Sequence, residues 1–406
     1  MTMTPFHSLA TMSRWALILA IAGCSGQVRT EHPQAPPPDS IAPFFKPPTE
    51  ARDSFGDFRS PLLFANGSRV ASASDWPRRR EEILKTWTGA MGAWPVLIDA
   101  PKVDVVETIR RDDITQHRMQ LGIALDGEPV TGFMLVPPGN GPFPAVLVVF
   151  YEAQSGIGLG GERLDWAWQL ARRGFVTLSI GKPTAQVLLD NAREARGGPY
   201  YGPAGKPVKI QPLSALAYLA ANAHGVLARR ADVRPDRIGI IGHSFGGKWA
   251  LFASALHEGF ACAVWSDPGI VFDERDRAKQ NPRGAVNYWA DSYLGFELGG
   301  LPGADRRDPY FALPTRGRLG AYKALVDGGH DLVELHALLA PRPFLVSGGS
   351  ADLPERWPAL NHAIAVNRLL GQENRVAMTN REGHSPTDQS NEQILRFFEW
   401  WLRDRN

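Results

Sequence analysis

The sequence predicts an α/β protein built on a doubly wound, mostly parallel sheet. Three observations lead there. Continuous apolar runs such as PAVLVVFY (144–151) read as strands covered on both faces. From residue 144 onward such runs alternate with helical patterns, which is how crossover units are written in sequence. And RIGIIGHSFGGK (237–248) carries an apolar strand into Gly-x-Ser-x-Gly, followed without a breaker by the helical run KWALFASAL.

The elements follow in order. SDWPRRREEILKTWT (74–88) is a helix: Ser74 or Asp75 can cap it, Pro77 suits its first turn, and Ile83, Leu84 and Trp87 form an apolar stripe. Strands at 103–111, 117–125 and 130–138 make an antiparallel start, with Asp126-Gly127 as a hairpin turn. After the strand at 144–151 come a helix at about 162–173, a strand at 175–180 and a long helix at about 211–230. The strand at 237–241 leads to Ser244, and further strands are expected at 261–266, 342–348 and 375–380. Helices are expected over 358–370 and about 389–403, the last carrying Ile394, Phe397, Phe398 and Trp401.

Four segments divide the chain. Residues 1–23 read as a signal peptide, with Arg14 ahead of the short apolar stretch WALILAIAG. Ile21-Ala22-Gly23-Cys24 resembles a bacterial lipobox, which implies cleavage before Cys24 and a lipid anchor on it. Residues 24–50, dense in proline, read as an extended, poorly ordered linker. Residues 51–406 form the main body of the fold. Within it, 267–341 separates adjacent strands by about 75 residues, too many for an ordinary crossover. It reads as a cap-like insertion over the strand carboxyl ends, with a structural brace as the alternative.

Composition bounds the function. The 406 residues are 44% hydrophobic and carry a formal charge of +2, so nothing points to nucleic acid. There are two cysteines; with Cys24 lipidated, Cys262 has no partner and reads as a small buried hydrophobe. The Gly-rich stretch GIGLGG (156–161) mimics a dinucleotide fingerprint, but the next strand ends in Gly181-Lys182 rather than an acidic ribose ligand. It reads as a flexible loop, and no metal or organic cofactor is expected.

A serine hydroxyl needs a base to take its proton, and the base needs an orienting acid. With Ser244 at the elbow, the acid and then the histidine are expected on later strand ends. GSADLPE places Asp352 after the strand at 342–348, and REGHSP places His384 after the strand at 375–380. Glu355 and Asp267, the latter directly following ACAVWS, are the alternatives for the acid. His243 reads as a residue that packs or hydrogen-bonds locally. The oxyanion donors are expected to be the N–H of Phe245 and an N–H at Tyr151 or Glu152. Lys248, one turn after Ser244, either contacts substrate or pairs with an acidic neighbour beneath the site.

From about 74 to 404 the chain resembles secreted bacterial α/β-hydrolases of the dienelactone-hydrolase and prolyl-oligopeptidase-like group, especially carbohydrate esterases such as acetyl xylan and glucuronoyl esterases. The resemblance rests on GHSFGG, the GGSAD and GHSP loops, and WPRRREEIL. It implies an α/β-hydrolase fold with the cap-like insertion between the sixth and seventh core strands. Ser244, Gly247 and Lys248 match the Ser-x-x-Gly-Lys of glucuronoyl esterases, implying that Lys248 touches sugar hydroxyls. Those enzymes flank the serine with Cys and Arg, where this chain has His243 and Phe245.

The function expected is a serine carboxylic-ester hydrolase that removes acetyl or uronoyl groups from carbohydrate. It would be exported to the cell envelope and touch membrane only through Cys24. The alternatives are a serine peptidase on short peptides and a catalytically silent binding module.

Overall fold

Period-two burial along the strands sets the architecture. Ala145, Leu147 and Val149 enter one apolar cluster while Val146 and Val148 enter the other. Ala263 and Trp265 oppose Cys262 and Val264 in the same way. Both faces of these strands are therefore covered, as continuous apolar runs require.

The computed structural model describes residues 36–125, 127–182, 210–272, 293–294 and 320–404. Segment 1–23, Cys24, Asp126 and most of the insertion lie outside them. Contacts gather the described residues from 37 onward into one compact unit. No helix among the described residues is long and apolar enough to cross a membrane.

The strands are β1 (Val103–Arg111), β2 (Ile114–Leu121), β3 (Val130–Val136), β4 (Phe143–Phe150), β5 (Val176–Gly181), β6 (Val233–His243), β7 (Cys262–Ser266), β8 (Phe344–Gly348) and β9 (Val376–Asn380). They form one sheet in the order β1-β2-β3-β5-β4-β6-β7-β8-β9. Pairing is antiparallel from β1 to β5 and parallel from β5 to β9. All the parallel strands thus present their carboxyl ends at one rim, where α/β proteins bind ligands.

The helices are α1 (Trp76–Met91), α2 (Ala153–Gly156), α3 (Trp166–Ala171), α4 (Pro212–Ala228), α5 (Phe245–Leu256), α6 (Gly320–Asp327), α7 (Val333–Leu338), α8 (Trp357–Leu369) and α9 (Asp388–Phe398). The α4 helix is apolar almost all round and almost wholly buried, with Pro212 in its first turn. The α9 helix has a capping box between Thr387 and Ser390 and turns Ile394, Leu395, Phe397 and Phe398 inward.

Two segments differ from the sequence reading. Residues 37–50 are not a free linker: Ala42–Phe45 forms a 3₁₀ turn that buries Ile41, Phe44 and Phe45. Phe45 packs on Phe397 and Trp401 at the far end of the chain. Removing each such side chain from water is worth about 1.5–3 kcal/mol, enough to pin a proline-rich strap. The end of the expected insertion is also body rather than cap. Ala321, Tyr322 and Leu325 of α6, and Val333, Leu335 and Leu338 of α7, belong to the main apolar cluster. Counted from edge strand β1, the inserted segment falls between the seventh and eighth strands.

Candidate active site

β6 ends in the turn that carries Ser244, and the turn is tight enough to dictate its glycines. A Cβ on Gly242 would lie 2.1 Å from the Gly246 oxygen, and one on Gly246 would lie 2.1 Å from the Val149 oxygen. Ser244 itself adopts φ +54°, ψ −111°, a conformation side chains rarely accept. It is held there by its N–H, which donates to Ser266 O at 2.8 Å, and by its carbonyl, which accepts from Lys248 N at 3.0 Å. The hydroxyl is left half-buried at the amino end of α5.

His384 reaches this hydroxyl from the loop after β9. The hydroxyl donates to Nε2 over 2.8 Å. The opposite ring nitrogen, Nδ1, donates to Asp267 Oδ2 over 2.5 Å. Asp267 is the residue directly after β7 and is 1% exposed, whereas the His384 side chain is 45% exposed. A buried carboxylate, an imidazole and a hydroxyl thus run in a line from the interior to solvent.

This corrects the expectation for the acid. Asp352 is fully buried, but its carboxylate turns away from the imidazole. Oδ2 accepts from Gly269 N at 2.8 Å and Oδ1 from Ile270 N at 2.7 Å. Asp267 Oδ1 in turn accepts from Gly349 N at 2.7 Å and Asp352 N at 2.9 Å. The loops after β7 and β8 therefore exchange carboxylates, each clasping the other's backbone. Glu355 lies in the Pro354–Arg356 turn, where no residue is buried.

Charge separates the two acids. Burial works to raise Asp267, but the hydrogen bonds from His384 and Ala351 and the charges of His384 and Arg381 outweigh it, holding this carboxyl below its ordinary value. Asp352 is pushed upward by burial and by the charge of Asp267, offset only in part by the Ile270 and Gly269 amides and by Lys248. Asp267 is therefore the better anion of the two.

Lys248 lies in the first turn of α5. It is 3% exposed, and its ammonium donates to Pro268 O and lies 5.9 Å from the Tyr293 ring centroid. The cation serves the turn that Asp352 clasps, and its charge favours the anionic form of Asp352.

Phe245 is fully buried and stacks on Tyr151, with centroids 4.6 Å apart and planes at 17°. The loop after β4 thus adjoins the elbow; Tyr151 is half-buried there and Glu152 exposed. The GIGLGG stretch is anchored: Ile157 is fully buried and its carbonyl accepts from Arg111 at 2.8 Å. His243 packs beneath His384, centroids 4.7 Å apart, with Nδ1 3.1 Å from both Ser266 O and Ser266 Oγ. Burial, then the charges of His384 and Arg381, push it down to about 3, so it stays neutral. Among the described residues no cluster of side chains could hold a metal ion.

The sequence reading did not single out Arg381, though it is the first residue of the quoted REGHSP. Its one signal was a charge directly after a strand of a buried sheet.

No family model matches the chain, and no curated protein matches it either. Solved structures do. A glucuronoyl esterase from Solibacter usitatus superposes with a TM-score of 0.63 at 18% identity, covering 84% of this chain and 97% of that one. A putative acetyl xylan esterase from Bacteroides fragilis gives 0.52 at 15% identity, covering 83% and 79%. A mutant glucuronoyl esterase from Sporotrichum thermophile, in complex with methyl 4-O-methyl-beta-D-glucopyranuronate, gives 0.55 at 16% identity, covering 86% and 88%. The chain has the α/β-hydrolase fold. That fold explains why the elbow, the acid and the histidine all fall on strand carboxyl ends at one rim.

Proposed function

We propose that this protein is a serine carboxylic-ester hydrolase acting on ester-decorated carbohydrate outside the cytoplasm. The observation that carries the reading is the continuous relay Asp267–His384–Ser244, with links of 2.5 and 2.8 Å. Ser244 Oγ attacks the ester carbonyl while His384 Nε2 takes its proton. Asp267 fixes the Nδ1–H tautomer and balances the imidazolium that forms. The N–H of Phe245, with one from Tyr151 or Glu152, receives the developing oxyanion, each donor contributing about 3–4 kcal/mol. The imidazolium returns its proton to the departing alkoxide (the sugar for an acetyl ester, the esterified alcohol for a uronoyl ester), water enters, and the same base drives release of the acid.

The neighbours' substrates support a sugar ester: one was crystallised with a methyl glucuronate. His243 and Phe245 in place of Cys and Arg leave acetyl and uronoyl esters as the two arms of the substrate test. The lipobox-like tetrad supports attachment to the cell envelope through Cys24.

The test uses p-nitrophenyl acetate and a fluorophosphonate probe, then acetylated and uronoyl-esterified oligosaccharides beside a peptide-amide panel. Turnover of an ester with labelling at Ser244 is expected. Absence of both turnover and labelling would sink the reading, and cleavage confined to amides would replace it with a peptidase.

A further inference from the structure

Arg381 is buried to 9% exposure directly after β9, and its guanidinium meets six oxygens from three segments. Nε donates to Ser385 O at 2.9 Å, and Nη2 donates to His384 O at 2.6 Å and to Ser266 Oγ at 3.3 Å. Nη1 donates to Ser347 O at 2.8 Å, Ser347 Oγ at 3.1 Å and Gly348 O at 3.3 Å. One planar fork therefore joins the end of β7, which precedes Asp267, to the end of β8 and to the backbone of His384 itself. His384 and its two preceding neighbours are exposed, so this fork holds the loop's backbone while the bonds to Asp267 and Ser244 hold the ring.

We propose that Arg381 is the positioning residue of the relay: it fixes the His384 loop against β7 and β8 and sets a permanent cation behind the Asp267–His384 pair. The proposal rests on the ester-hydrolase reading above. Lysine could not replace the geometry, because its three donors radiate from one nitrogen whereas the fork spans parallel carbonyls.

The titratable groups around the guanidinium are Asp267 on the β7 loop, Asp352 on the β8 loop, the neutral His243 at the end of β6 and His384 on its own loop. Lys248 on α5 stands beyond Asp352. The carboxylates retain the cation; the cation opposes a second positive charge on the imidazole. Removing it makes the imidazolium easier to form, so the acid limb of the pH–rate profile moves upward.

The experiment compares wild type, Arg381→Met and Arg381→Lys with p-nitrophenyl acetate, each rate normalised by fluorophosphonate titration of Ser244. Arg381→Met is expected to lower kcat by roughly 10- to 100-fold. KM is expected to stay within about threefold, and the acid limb to rise by roughly one pH unit. Arg381→Lys is expected to restore the limb but not kcat. An unmoved limb in Arg381→Met, with the whole loss accounted for by a smaller titratable fraction, would overturn the proposal. Should the Met variant not fold, Arg381→Lys decides: a wild-type kcat overturns it, a reduced kcat with an unmoved limb supports it. Failure of the wild type to label at all would instead remove the ester-hydrolase reading on which the proposal stands.

Discussion

Two of the buried charge clusters among the described residues do opposite work. One is the rim cluster of Asp267, Asp352, Arg381 and His384. The other lies against α1, where Arg79 (2% exposed) donates to Glu334 (1% exposed) over 2.9 Å. The Glu334 carboxylate also accepts from Trp87 Nε1 and binds His330 Nδ1, each at 2.8 Å. Burial alone would raise Glu334, yet the bonds and charges of His330, Trp87 and Arg79 hold it below its ordinary value. So both clusters contain a buried carboxylate that remains ionised, as Asp267 does. What sets the rim cluster apart is an imidazole with one nitrogen on the carboxylate and the other on an accessible hydroxyl. A perturbed carboxyl is thus a weak marker of catalysis; a path from it to solvent is a strong one.

Substitutions can break or sharpen this contrast. The largest effect is expected for Ser244→Ala, which should lower ester turnover by at least about 10⁴-fold while the melting temperature stays put. Asp267→Asn should cost on the order of 10⁴ in kcat by favouring the wrong tautomer, and Asp352→Asn, which touches no imidazole, should cost far less. Equal losses would mean that the two acids act as one. Across the molecule, Glu334→Gln should reverse the pattern. It leaves buried Arg79 with only the partly exposed Glu82, 3.1 Å away, as its anion, so a loss of about 3 kcal/mol in a denaturant titration is expected, with kcat unchanged per folded molecule.

The smallest and broadest effect is on pH. His224, His243, His257 and His336 are driven chiefly by burial down to about 4, 3, 3 and 3. In the unfolded chain they take protons near 6.5, so between there and pH 4 the unfolded state binds more protons. Stability must therefore fall as pH falls, by about 1.4 kcal/mol per pH unit for each histidine. Asp352, raised in the fold, contributes with the opposite sign, but it is one group against four. Melting temperatures measured from pH 7 to 4.5 should decline; a flat profile would mean the histidines charge without unfolding.

Much of this was legible in sequence because it is local. The strand, elbow and helix around Ser244 are dictated by an apolar run, two glycines that must be small and a helix without breakers. His384 could be singled out because it follows the last strand of an alternating series. The strap at 37–50 was less legible: its prolines favour an extended linker, while the burial of Ile41, Phe44 and Phe45 needs α9, which lies hundreds of residues away. For the same reason α6 and α7 were hidden inside a stretch that looked only too long.

What the sequence determined alone is the scaffold, since strand periodicity and elbow chemistry are properties of neighbours along the chain. What only the tertiary structure decided is which carboxylate meets His384. Asp267 and Asp352 each follow a parallel strand and are equivalent in that sense. The choice between them is made by direction: Asp267, at φ +49° beside the nucleophile strand, reaches the imidazole, while Asp352 spends its carboxylate on the Gly269 and Ile270 amides. Side-chain direction depends on which loops the sheet brings side by side, and that arrangement exists only once the strands have paired.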